Sequence, residues 1–356
     1  MKILVTGGAG FIGTSLVRLL LADGAAVVNL DKLTYAGSNP PLGPLGESGR
    51  YTLEVADIAE RDAVAPVFAR HAPDAVMHLA AETHVDRSID APAAFVSTNL
   101  VGTFSMLEAA RRHWETLSGE ARDRFRFLHV STDEVYGSIA DGKASEDARY
   151  RPNSPYAASK AGADHLVRAW GVTYGLPIIA TNCTNNYGPW QFPEKLVPLL
   201  VLNAIEGRKL PVYGTGANRR DWLYVSDHAA ALALVLRRGS IGETYNIAGG
   251  EERANIDLVR LLCGILDEEL PRSPHRPHER LIEFVADRPG HDLRYALDDG
   301  KIRDRLGWRP SESLESGLRE TVRWYLDNRA WWEPIRTGVY RGERLGAPRT
   351  ARRRKA

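Results

Sequence analysis

The chain has 356 residues, 44% of them hydrophobic, with 46 Lys and Arg against 45 Asp and Glu for a formal charge of +1. A chain of this length buries a large core and is expected to divide into two lobes. So even a charge balance sets up no basic field for nucleic acid or an anionic membrane, and any anionic ligand is expected to meet local charge. Cys183 and Cys263 show neither metal-ligand spacing nor a disulfide framework, so they read as buried free thiols in a reducing cytoplasm, and no metal site is expected. The apolar start runs straight into glycines, as a first strand does and a signal peptide does not. No stretch nears the roughly 18 consecutive apolar residues of a membrane helix.

Residues 2–6 predict a strand, followed by Gly7-Gly8-Ala9-Gly10-Phe11-Ile12-Gly13 and an amphipathic helix over 14–22. In such a strand, glycine turn and helix, Gly7 permits the turn, Gly10 admits a pyrophosphate to the backbone and Gly13 lets helix pack on strand. The helix N-terminus favours phosphate charge. A second strand over 26–30 ends at Asp31, about 20 residues past the turn. An acid there either holds a ribose diol, favouring NAD over NADP, or simply caps the next turn. Residues 34–49 read as a loop over the adenosine. A third strand over 53–55 precedes Asp57-Ile58, whose position suits the adenine, and 61–70 reads as a helix.

A buried strand over 75–79 runs into Ala80 and Ala81, small enough for a cofactor to lie against the backbone. Glu82 and Arg87 either face the crevice or pair with each other at a loop. Residues 92–112 and 155–174 read as long helices, suited to a four-helix seam in a homodimer. Between them, a buried strand over 125–130 leads to Ser131-Thr132-Asp133-Glu134, at the strand end where open α/β sheets bind ligands.

Tyr156 and Lys160 share one face of the following helix. They are either an ordinary amphipathic helix start or a phenol beside the ammonium that activates it as a base. Bringing a phenol into the neutral range takes roughly 4 kcal/mol of differential stabilisation, which a desolvated cation and an oxidised nicotinamide supply together.

A sixth strand over 176–181 leads to an amide-rich turn, 182–189, where the chain is expected to leave the cofactor lobe. Then come a helix over 194–208 with Lys195 near its start, a strand over 210–213, and a loop over 214–221 whose Arg219 and Arg220 suit a diphosphate. A helix over 225–237 and a strand over 244–247 are read as returning to the first lobe. Asn255 sits where a cap belongs before a helix over 256–266, a role compatible with ligand binding. His291, in a polar loop after Pro271, suggests ligand binding in preference to acid/base work. The basic stretch 346–356 reads as a disordered tail.

Assembled, these segments resemble the extended short-chain dehydrogenase/reductases and, among them, the dTDP-glucose 4,6-dehydratase family. The likeness runs to about Asp327 through TGGAGFIG, DKLTYAG, AAETHVDRSI, STDEVYG, YAASK, NNYGPWQFPEKL, RDWLYV and RPGHD. It implies a Rossmann-like, doubly wound parallel α/β sheet: residues 1–187 and 225–250 around NAD, with 188–224 and 251–330 as a smaller lobe for a nucleotide diphosphate sugar. Small departures are Trp190, often Tyr in the family, and Ser226, often Glu; Trp190 is expected close to the sugar pocket.

The resemblance implies that Tyr156, with Lys160 and Thr132, removes the 4-hydroxyl proton as hydride leaves carbon 4 for NAD. Glu134 then takes the proton of carbon 5, protonated Asp133 expels the 6-hydroxyl as water, and hydride returns to carbon 6. It places Gly7, Gly10, Phe11, Ile12, Gly13, Asp31, Lys32, Leu33, Thr34, Asp57, Ile58, Leu79, Ala80, Ala81, Thr83, Thr98, Tyr156, Lys160 and Asn186 at the cofactor. Around the dTDP-glucose it places Thr83, Thr132, Asn185, Lys195, Leu196, Pro211, Val212, Tyr213, Arg220, Asn255, Asp287, Arg288, Pro289, Gly290 and His291. Alternatives are a UDP- or GDP-sugar dehydratase, a sugar-nucleotide epimerase, which lacks the Asp-Glu pair, and a non-catalytic NAD-binding module.

Overall fold

The structure is a computed structural model describing residues 1–37, 42–343 and 345. The expected basic tail lies outside the described residues. Among the described residues twelve strands run in chain order: β1 Lys2–Thr6, β2 Ala26–Asp31, β3 Tyr51–Val55, β4 Ala75–His78, β5 Arg126–Thr132, β6 Ile178–Cys183, β7 Asn185–Tyr187, β8 Leu210–Tyr213, β9 Arg219–Tyr224, β10 Thr244–Ile247, β11 Glu252–Ala254 and β12 Ile282–Val285. Seven form a parallel sheet in the order β10-β6-β5-β4-β1-β2-β3. The order reverses between β1 and β4, and the crevice at such a reversal is where open α/β sheets take ligands.

Alternation along the strands explains the layers. Ile3 and Val5 of β1 pack with the helices Phe11–Ala22 and Val225–Arg238, through Leu16, Leu20 and Leu232. Leu4, between them, points to the opposite face and packs with Val67, Leu107 and Val167 of the helices Arg61–His71, Thr103–Thr116 and Pro155–Tyr174. Successive side chains of a strand face opposite ways, so a sheet covered on both faces needs unbroken apolar strands such as ILV and FLHV.

A second core is built from the helices Leu196–Ile205, Asn255–Glu269 and Leu314–Asp327 over two small sheets, β11-β9-β7 and β12-β8. The helix Val225–Arg238 and strand β10, reached after a detour through this second core, lie with the first, where Thr244 pairs with Ala180 of β6.

Several boundaries differ from the sequence expectation. Arg219 and Arg220 lie in β9, not in a loop, because Arg220 and Arg253 pair across to β11. The polar loop after Pro271 holds β12, which pairs with β8 from Ile282 to Val285. The helix expected over 92–112 runs to Thr116 and widens over Val96–Gly102 into a π-type turn. Pairing partners distant in sequence decided the two strands, and no local pattern announces them.

Candidate active site

One cavity of about 290 Å³ opens at the carboxyl ends of β1, β4, β5 and β6. Its first half is made mostly of backbone. Gly7 has φ of 72°, and a Cβ there would stand 2.8 Å from the Ala80 Cα. At Gly13 a Cβ would stand 2.1 Å from the Gly7 carbonyl, so the helix can sit this close to the strand only with glycine. Gly10 caps the helix Phe11–Ala22 without a side-chain cap, leaving first-turn amides and the helix dipole directed at the cavity. This cradle suits a pyrophosphate.

Asp31 ends β2 with its carboxylate accepting from the Ala9 amide at 3.0 Å and the Leu33 amide at 2.8 Å. It therefore braces the glycine turn and caps its own turn, while still lining the cavity. Burial raises its pKa, and the two amides and Lys32 oppose the rise. Phe11, Ile12, Lys32, Thr34, Ile58, Leu79, Ala80, Ala81, Thr83, Thr98 and Asn186 line the same space. Leu33 and Asp57 are set back from it: Leu33 is exposed at φ of 52°, and Asp57 faces Lys32 at 3.5 Å.

The second half is chemical. The Thr132 hydroxyl, at the end of β5, donates to Asp133 at 3.2 Å and accepts the Glu134 amide at 3.3 Å. It also opposes the rise of the Tyr156 pKa. Asp133 is buried and its Oδ2 has no partner among the described residues. Burial, then the charge of Glu134, drives the Asp133 pKa well above that of an ordinary carboxyl. Burial also raises Glu134, but Arg288, Arg220 and Lys195 oppose it. Both carboxyls are therefore raised, Asp133 well above its ordinary value and Glu134 held back by the facing cations, which separates the two groups.

Tyr156 and Lys160 lie on one face of the helix Pro155–Tyr174, capped by Ser154, whose hydroxyl accepts the Ala157 amide. The expected activation is not a property of the protein alone. Burial and the charge of Glu134 push the Tyr156 phenol well above its usual value. The Lys160 ammonium donates to the Val130 carbonyl at 2.7 Å, and burial lowers its own pKa. A phenol raised chiefly by burial is eased toward ionisation by added positive charge.

Facing these groups, Asn185 and Asn186 each leave a buried Oδ1 without a partner among the described residues. Lys195 donates to the Thr83 carbonyl at 2.8 Å, just ahead of the helix that Leu196 begins. Asp86 gathers the far wall, accepting from Tyr213 at 2.9 Å and Arg288 at 2.8 Å. Pro211 and Val212 share β8 with Tyr213, and the Val212 side chain belongs to the second core. His291 pairs with Asp287 at 2.6 Å across the Pro289-Gly290 turn, where Gly290 takes φ of 65°.

Solved structures and curated relatives decide the kinship. DesIV, the dTDP-glucose 4,6-dehydratase of Streptomyces venezuelae, solved with NAD bound, is 48% identical with a TM-score of 0.84, over 94% of this chain and 100% of that one. The dTDP-glucose 4,6-dehydratase of Neisseria meningitidis is 57% identical over 97% of this chain and 99% of its own length. That of Escherichia coli K12 is 55% identical over 96% and 97%. The chain belongs to the dTDP-glucose 4,6-dehydratase family. A sequence model described as GDP-mannose 4,6 dehydratase matches residues 4–321 of it. The UDP-glucose 4-epimerase of Thermus thermophilus shares the fold at 31% identity and a TM-score of 0.79, over 92% of this chain and 100% of that one.

Within this dehydratase frame, four expectations need correction. Glu82 and Arg87 do not pair: Glu82 faces Lys32 at 3.4 Å and Arg87 bonds Glu194 at 2.8 Å. The Arg220 guanidinium, expected as an open fork, lies over the Tyr295 ring at 4.2 Å and donates to the carbonyls of Arg219, Asp292 and Leu293. Asn255 caps nothing, since Ala254 is the cap residue and the buried Asn255 Oδ1 has no partner among the described residues. Trp190 turns away from the cavity into a cluster with Trp324, Trp331 and Arg18.

Other groups escaped the sequence reading. Tyr295 bonds Asp292 at 2.7 Å and reaches Glu134 at 3.5 Å, across 161 positions of sequence. Asp164, one turn beyond Lys160, accepts from Ser131 at 2.7 Å and meets His129 at 3.0 Å behind the site. Its i, i+4 spacing from Lys160 was the one available signal.

Proposed function

We propose that this protein dehydrates dTDP-glucose to dTDP-4-keto-6-deoxyglucose as an NAD-dependent lyase, with the sheet lobe holding the cofactor and the second lobe the sugar nucleotide. The observation that carries the reading is the split pair: Asp133 buried and raised, Glu134 raised but faced by three cations. Elimination of water needs one acid and one base on adjacent carbons, and an epimerase has no use for that pair.

The Gly7–Gly13 cradle and Asp31 fit a dinucleotide with free ribose hydroxyls, and the apolar cavity past Ala80 and Ala81 reaches Tyr156. Gly7, Gly10, Gly13 and Asp31 would hold NAD there, and the cofactor would supply reversible hydride transfer between carbon 4 and carbon 6 of the sugar. Around that exchange Tyr156 takes the 4-hydroxyl proton while Thr132 holds the oxygen. The new ketone makes the carbon 5 proton acidic, Glu134 removes it, and carbon 5 is reprotonated once hydride has reached carbon 6. Asp133 gives its proton to the leaving 6-hydroxyl. Lys195, Arg288 and Arg220 meet the diphosphate side with positive charge.

The test is incubation of the purified protein with dTDP-glucose without added cofactor, followed by mass spectrometry. A product lighter by one water supports both the reaction and retained NAD. An unchanged mass after NAD is supplied refutes the reading.

We also propose a cytoplasmic homodimer. Free buried thiols at Cys183 and Cys263 support a reducing compartment. Val96, Val101, Val172 and Tyr174 leave apolar surface exposed on the two long helices, supporting a pairing seam. Among the described residues no helix is long and apolar enough to cross a membrane.

A further inference from the structure

Three side chains from separate parts of the chain close a triangle at the cofactor side of the cavity. Glu194 Oε1 accepts from the Tyr35 hydroxyl at 2.9 Å, and Oε2 accepts from Arg87 Nε at 2.8 Å. The Arg87 guanidinium lies over the Tyr35 ring, 4.1 Å from its centroid. Phe192 meets the other aspect of that ring edge-on, with centroids 5.3 Å apart. Tyr35 belongs to the loop after β2, between Thr34 and Ala36, which both line the cavity. Arg87 belongs to the helix Val85–Asp90 after β4, and Glu194 to the segment entering the second core.

We propose that Glu194 is a clasp, a positioning residue whose carboxylate holds the β2 loop and the β4 loop together over the bound dinucleotide and so sets how slowly NAD leaves. The inference rests on NAD being the cofactor. The Glu194 side chain is only 2% exposed. A carboxylate so buried is tolerated because each oxygen has a donor, and separating the walls would strip a buried charge of its partners. Lys195 and His84 add main-chain ties in the same place, Lys195 to the Thr83 carbonyl and His84 to the Glu194 carbonyl. Opening one wall therefore disturbs the others together. An enzyme that returns its hydride within each cycle gains from such retention, since released cofactor ends the cycle.

The experiment is exchange of labelled NAD. Holoenzyme loaded with radiolabelled NAD is chased with excess unlabelled NAD, and retained label is followed by filter binding for the parent, Y35F, R87M, the double variant and E194Q. Loss of a hydrogen bond to a charged group speeds exchange about tenfold or more in each single variant. The double variant exchanges much more slowly than the product of the two single effects predicts, because both act through one carboxylate. Melting temperature of the cofactor-free proteins separates clasp from scaffold, since a purely structural role lowers it and leaves exchange at the parental rate. Parental exchange in folded Y35F and R87M overturns the proposal while the NAD reading stands. A parent that retains no label overturns both. Y35F and R87M each leave the Glu194 carboxylate one donor, so the test survives if E194Q does not fold.

Discussion

The two halves of the cavity are built on different principles. The cofactor half is local: within Gly7–Gly13 one turn of chain supplies its curvature, its close helix contact and its amides. The half proposed for the sugar is assembled from afar, with Glu134, Lys195, Arg220, Arg288 and Tyr295 converging from four parts of the sequence. Backbone amides need no partners to be useful, whereas charges in a dry crevice are worth something only where they meet their opposites. The first half tolerates almost no change in shape, and the second almost no change in charge.

Charge should therefore break the second half hardest. Asp133→Asn keeps the shape and removes the acid, so turnover to the dehydrated sugar should fall by about 10²–10⁴, measured by mass spectrometry of the product. Retention of activity within tenfold would falsify Asp133 as the general acid. Tyr156→Phe should cost about 10² or more while nucleotide affinity, read by calorimetry, stays close to the parent's.

Shape should break the first half. Gly13→Ala puts a methyl 2.1 Å from the Gly7 carbonyl, an overpacking expected to cost about 1–3 kcal/mol. A denaturant midpoint equal to the parent's would show that the turn yields more easily than the cradle implies. A smaller effect tests the seam around Glu134: Tyr295→Phe removes the donor to Asp292 and Glu134 and should cost about 1 kcal/mol of stability by the same assay.

The pH profile is the gentlest probe. As the proposed base Glu134 works ionised and its pKa is raised, so activity should be present above that pKa and lost as pH falls through it, at a pH above the ordinary carboxylate range. As the proposed acid Asp133 works protonated with its pKa raised further, so activity should be lost as pH rises through that value. Arg288 holds Glu134 down, so Arg288→Met should move the acid limb of kcat/KM to higher pH. A limb that stays in place would mean that another group titrates there.

The glycine turn, the strand end at Asp31, the buried strand ahead of Thr132, the Tyr156–Lys160 face and the apolar runs of the sheet were all legible in the sequence. Each depends on neighbours within about one helical turn, or on a strand period of two. Local chemistry determined them, and fifty per cent or more identity to dehydratases over nearly the whole chain agrees. Only the tertiary structure decided where charge goes. It gave Arg87 to Glu194 instead of Glu82, folded Arg220 onto Tyr295, turned Trp190 toward Trp324, and left the Asn255 side chain uncapped. A charged side chain carries no mark of its partner, because the partner is chosen by burial and by the approach of segments distant in sequence.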